Sequence, residues 1–292
     1  MKHLILLVVF SMLYISLASR CNSISYEESD SLYMDYDQSK VPFAFYMPDK
    51  ILELHRDLEE ISGLSWFDNM LWAVEDENGY LYGIDPATGS ITQKVKFAKD
   101  GDYEGVELSD EKAFAIQSDG DLFRFSLMQQ DEVPSVEIET DFSSRNNVEG
   151  LAIWNDKLLI ACKGKGEIDD DDVKGKAVYL YDISKDKVEL LFHFDEDDLE
   201  REVDDRKYFN KIHSFDPSGI AIDPITQDIY WLSADKVMVV LSSDFKIREV
   251  VPLSRKTYRQ PEGICFDSQG TLYIASEGDG GEAKIFRLSR LQ

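Results

Sequence analysis

The heptapeptide Asp102-Tyr-Glu-Gly-Val-Glu-Leu108 returns in outline at Asn147-Val-Glu-Gly-Leu-Ala-Ile153 and Gln260-Pro-Glu-Gly-Ile-Cys-Phe266. A form with Ser before the glycine stands at Glu60-Ile-Ser-Gly-Leu64 and Asp216-Pro-Ser-Gly-Ile220. The five glycines, Gly63, Gly105, Gly150, Gly219 and Gly263, are 42, 45, 69 and 44 residues apart. A unit of this length cannot enclose a core of its own and must bury its apolar face against its neighbours. When the unit is built of short strands, the architecture that does so is a propeller.

The residues after each glycine are strand-like. In the last copy Gly263-Ile-Cys-Phe-Asp267, Thr271-Leu-Tyr-Ile-Ala275 and Ala283-Lys-Ile-Phe-Arg-Leu288 are separated by polar, Gly-rich turns. Runs of four to six residues rich in Val, Ile, Tyr, Phe and Trp, bounded by Asp, Asn and Gly, are strand and hairpin signals. A fourth strand closes most copies, at 91–97, 136–141, 188–194 and 247–253, but the last copy stops after three. The strand-like segments 41–46 and 50–54 precede the first copy, so the N-terminal strand is expected to complete the C-terminal blade; an open ring would expose unpaired edges. The expected fold is all-β: one propeller of five blades, each of four antiparallel strands, occupying residues 41–292. A six-blade ring is the rival count. The long third interval exceeds its neighbours by too little for a blade, and two insertions account for it. One runs from Gly164 to Gly175 and contains Asp169 to Asp172; the other runs from Asp195 to Lys211, where Leu199, Val203 and Phe209 form the apolar side of a short acidic helix.

The chain opens with Met1-Lys-His and an apolar run from Leu4 to Leu17, the pattern of an export signal over residues 1–20 that is too short for a spanning helix. Cys21 stands where a lipoprotein carries its acylated cysteine, although Arg20 departs from that motif; lipidation and plain secretion both remain open. Residues 21–40 are polar and acidic and read as a tether. The expected location is therefore exported, periplasmic or anchored in the cell envelope, with membrane contact only through a lipid. The formal charge of −26, which becomes −28 on loss of Lys2 and Arg20, repels phosphate backbones and excludes nucleic acid as the expected partner. Divalent cations and cationic partners are favoured instead. Cys162 and Cys265 fall in or beside strands of non-adjacent blades, so no disulfide is expected.

In a propeller the first strand of each blade lines the channel, and equivalent positions face one another. Before the repeat glycine the ring reads Ser62, Glu104, Glu149, Ser218 and Glu262. Three converging carboxylates raise one another's pKa, and a hard cation relieves the repulsion: calcium first, magnesium second. The alternative is that these acids accept hydrogen bonds from nearby backbone amides, and the glycines themselves are explained by close strand approach alone. A second, irregular ring at the end of the second strands contributes Glu75, Asp76, Gln117, Lys163 and Glu277 as candidate ligand-binding residues.

These segments, with Leu58-Glu-Glu-Ile-Ser-Gly-Leu-Ser65 at their head, resemble the SdiA-regulated family of bacterial extracytoplasmic propellers over about 41–288. The resemblance implies a calcium-binding envelope propeller and places Glu104, Glu149 and Glu262 at the family's repeated acidic positions. Two function classes follow. One is a non-catalytic module, monomeric, binding a small ligand or an envelope protein. The other is a metal-dependent hydrolase of lactones or phosphate esters, in which the cation generates a nucleophilic water. Lys163 is the one cation in either ring, no nucleophile elbow, Walker loop, dinucleotide fingerprint or zinc motif occurs, and no histidine shares a ring with Ser62 or Ser218. Covalent catalysis is not expected.

Overall fold

The structure, a computed structural model, describes residues 33–292 except 111, 128–129, 169–172, 204, 207–213, 279 and 292. The leader, Cys21, Asp169 to Asp172, Phe209 and His213 therefore lie outside the described residues. Five four-stranded antiparallel sheets form a closed ring. Blade one is β2 (Ile61–Phe67), β3 (Met70–Glu75), β4 (Tyr80–Ile84) and β5 (Ile91–Lys96). Blade two is β6 (Tyr103–Ser109), β7 (Lys112–Gln117), β8 (Leu122–Ser126) and β9 (Ser135–Ile138); blade three is β10 (Val148–Trp154), β11 (Lys157–Cys162), β12 (Lys176–Asp182) and β13 (Lys187–Phe194). Blade four is β14 (Pro217–Ile222), β15 (Ile229–Ser233), β16 (Val237–Leu241) and β17 (Ile247–Pro252). Blade five combines β18 (Pro261–Phe266), β19 (Leu272–Ser276) and β20 (Lys284–Leu288) with β1 (Lys50–Glu53). β1 pairs antiparallel with β20, Ile51 opposite Phe286, and closes the ring as the edge argument required.

The inner hairpins of blades one and three turn through Asp68-Asn69 and Asn155-Asp156. All four residues have positive φ, the twist-matched turn that Asn and Asp tolerate. The extra length of blade three goes to a connection between β11 and β12 and to α1 (Glu196–Val203) after β13. Asp195 and Asp198 cap α1 reciprocally, each carboxylate accepting from the other's amide at 3.0–3.1 Å. Leu199 and Val203 are buried, as their spacing predicted.

Five apolar clusters hold the ring, one at each junction between successive blades. That between blades four and five contains a segment the sequence reading divided differently. Residues 41–46 form no strand; Val41, Phe43 and Phe45 are buried in this cluster, Phe43 packing its ring against Tyr230 and Phe266. Tyr36, assigned to the tether, is also buried there; its hydroxyl donates to the Phe43 carbonyl and accepts from the Phe45 amide at 3.2 Å. Packing thus reaches back past Val41, because one tyrosine amid acidic residues carries no periodicity to announce its burial. Among the described residues no helix is long and apolar enough to cross a membrane.

Candidate functional site

Each innermost strand packs against the innermost strands of both neighbouring blades. The glycines make this approach feasible. A Cβ at Gly105 would lie 2.9 Å from Leu151 Cβ, at Gly263 2.8 Å from Leu64 Cβ, and at Gly219 2.4 Å from the Glu262 carbonyl oxygen. The ladder between first and second strands is irregular at the same place in every blade: Ile61 to Gly63, Tyr103 to Gly105, Val148 to Gly150, Pro217 to Gly219 and Pro261 to Ile264. In each case the skipped stretch includes the residue before the glycine. Those five residues, Ser62, Glu104, Glu149, Ser218 and Glu262, are thus freed from the ladder and re-aimed by a bulge. Four of them, with the glycines and the aliphatic residues that follow, line a central cavity of only about 10 Å³. That is room for about one water-sized particle.

The serines of this ring act between blades. Ser62 Oγ donates to the Tyr103 carbonyl at 2.6 Å and Ser218 Oγ to the Pro261 carbonyl at 2.7 Å. The glutamates behave differently. Glu149 is 4% exposed and accepts from Asn147 Nδ2 at 2.8 Å, while Lys163 Nζ stands 3.0 Å from its Oε1. Burial raises Glu149 to about 7, with Lys163 pulling the other way. Glu104 makes no hydrogen bond to another described residue, and burial, then Glu149, Asp102 and Glu262, push its carboxyl far up. Glu262, 4% exposed, is raised by burial and by Glu149, with Lys163 again opposing. Lys163 is raised by the three glutamates against its own burial. The lysine assigned to an outer ring therefore reaches into the carboxylate ring. The sequence signal for this was its place directly after the buried Cys162 at the inner end of β11.

The rest of that outer ring separates. Glu75 is 3% exposed and accepts from the Glu77 and Asn78 amides at 3.0–3.2 Å, so it organises its own turn. Gln117 stands beside Gly101 and the Tyr103 hydroxyl. Asp76 and Glu277 lie within electrostatic reach of each other, and Glu277 also of Lys163 and Glu149. Burial and then Glu60, Glu75 and Asp102 raise Asp76 to about 6; burial, Asp76 and Glu60 raise Glu277 to about 7. Asp76 Oδ1 is buried without a hydrogen-bond partner among the described residues. Glu60 and Asp102 were not singled out from the sequence, although both open their repeat units. His55 pairs with Asp57 and His193 contacts the Lys174 carbonyl. Cys162 and Cys265 are buried and free. Among the described residues no three His, Cys, Asp or Glu side chains stand, as placed, at metal-ligating separation.

A closed five-blade ring with a narrow, acid-lined channel mouth defines an all-β propeller whose polar chemistry is carried by oxygens and one lysine. The SdiA-regulated family model matches residues 45–279, and the chain belongs to that family. Among curated proteins none matches the sequence. Of solved structures, a glutaminyl cyclase from Myxococcus xanthus is similar at 11% identity, over 83% of this chain and 95% of that one, with a TM-score of 0.56. The PQQ-bound aldose sugar dehydrogenase of Streptomyces coelicolor is similar at 11% identity, over 83% and 97%, with a TM-score of 0.52. At such identities the likeness is one of fold.

Proposed function

We propose that this protein is an exported binding module of the cell envelope that takes a calcium ion at the channel mouth through Glu104, Glu149 and Glu262. The loaded ring would then offer its rim, Asp76 and Glu277 above all, to a small ligand or partner protein. The observation that supports the reading is charge balance. Once the ion displaces the protons that burial holds on them, three carboxylates and the Lys163 ammonium leave two negative charges over, which one divalent cation cancels. The donors are hard oxygens, which suits calcium or magnesium, and they come from three blades, which suits the looser coordination of calcium. As placed, the side chains are not at ligating separation, so loading requires Glu104 to turn and the ammonium to yield Glu149. Export and the Cys21 anchor rest on the leader sequence. The hydrolase alternative draws on the same ion.

Calorimetric titration of calcium and magnesium into chelator-stripped protein tests this at pH 6 and 8. One saturable calcium site is expected, about tenfold or more weaker at pH 6, because protons compete for carboxyls whose pKa burial has raised. Glu104→Gln, Glu149→Gln and Glu262→Gln should each abolish or strongly weaken it while circular dichroism is unchanged. Folded protein that binds neither ion would remove the metal and the hydrolase together.

A further inference from the structure

The cations of this acidic chain are unevenly placed. Between Glu249 and Glu262 it carries Arg255, Lys256 and Arg259 and no acid, all in the connection from β17 to β18 and all exposed. Lys256 and Arg259, together with Lys284 of β20, line a cavity of about 250 Å³ on blade five. Phe286, 2% exposed, supplies an apolar patch, and Thr257 and Ser276 supply hydroxyls. The Ser276 oxygen accepts from the Gln260 amide at 3.0 Å, which ties one wall of the cavity to the start of β18. A Cβ at Gly281 would lie 3.2 Å from the Gly278 carbonyl and 3.8 Å from Arg259 Nη1, so this glycine keeps the lip beside the guanidinium open. Glu277 and Glu282 complete the charged lining. Among the described lining residues, Arg259 and Lys284 bring a guanidinium and an ammonium together in a chain of −26.

We propose that this cavity binds a small organic anion, a carboxylate or phosphate monoester of metabolite size. The volume is just below the range of pockets that enclose drug-sized ligands, which sets the size class. An Arg fork recognises a planar carboxylate or a phosphate in bidentate fashion, Lys284 adds a point charge, and the carbon skeleton lies along the wall that Thr257 and Phe286 line. In a chain this acidic overall, a clustering of cations is a preferred place for an anion. Glu277 lines this cavity and lies within electrostatic reach of Lys163 and Glu149 of the carboxylate ring. The anion site does not depend on a metal being bound at the mouth.

Succinate and glycerol 3-phosphate, titrated calorimetrically into the metal-free protein at low salt, test the proposal and distinguish the two head groups. Saturable one-site binding of at least one probe is expected, weakened about tenfold by either Arg259→Gln or Lys284→Gln. Lys185→Gln, on an exposed turn of blade three, should leave it unchanged. No saturable binding of either probe would overturn the proposal. So would binding that both cavity variants leave intact, which marks an adventitious ion only. Because no metal is present, loss of the calcium reading leaves this result interpretable.

Discussion

Lys163→Met removes the ammonium that stands 3.0 Å from Glu149 Oε1 and keeps the apolar stem. With Lys163 in place the Glu149 carboxyl sits at about 7, burial raising it and the ammonium lowering it. This is above the unfolded value of 4.5, so between those values the native state holds a proton the unfolded chain has lost, and stability falls as pH rises. Above 7 the share of the wild-type fall that belongs to Glu149 stops, because Glu149 ionises beside its partner, while Glu104 and Glu262, also raised by burial, add their own shares in both proteins. In the variant the carboxyl keeps its proton to higher pH and the fall continues. The loss caused by the substitution is therefore near zero at pH 6 and about 1.4 kcal/mol at pH 8, one pKa unit of differential protonation. Urea unfolding followed by tryptophan fluorescence at pH 6, 7 and 8 measures it. An equal loss at all three values would mean that Lys163 matters only as a packing stem. No loss at pH 8 would mean that its ammonium does not stabilise the glutamate ring at all.

Gly219→Ala places a methyl 2.4 Å from the Glu262 carbonyl oxygen, a backbone atom that cannot step aside, and should destabilise by about 1–3 kcal/mol in thermal melts; an unchanged melting temperature would refute the close-approach role of the glycines. Ser218→Ala strands the Pro261 carbonyl of the next blade and should lose about 1–2 kcal/mol in urea unfolding, with calcium binding retained if the serine is purely an inter-blade donor. Tyr36→Ala empties part of the cluster between blades four and five and should cost about 2–4 kcal/mol; a change within about 0.5 kcal/mol would place Tyr36 outside the folded unit.

Much of the architecture is local. The repeat period, the two-residue Asp-Asn and Asn-Asp turns and the missing fourth strand of the last copy are written in neighbouring residues. Strand propensity and the cost of an open edge then suffice to infer five closed blades. The insertions are legible in the same way, because α1 carries its own capping acids and the spacing of Leu199 and Val203. The positions of Glu104, Glu149 and Glu262 follow from equivalence in a ring, and so does their mutual repulsion.

What tertiary structure decided is where long or isolated side chains end. Tyr36 is buried because blades four and five leave a gap that its ring fills, and no pattern in an acidic stretch encodes a gap made by residues some 200 positions away. Glu75 and Asp76 are adjacent in the chain, yet one accepts from the Glu77 and Asn78 amides and the other lies among the charges of Glu60 and Asp102. Lys163 has a stem long enough to leave its own ring position and enter the carboxylate ring, a choice set by the field of three acids from three blades. The repeated bulge belongs here too: it depends on register between paired strands, and it is what turns a sequence position into a ring of side chains. Periodicity determines which strands exist, because it is a property of each strand alone. The charge and reach of the mouth depend on contacts between blades, and those exist only once the ring has closed.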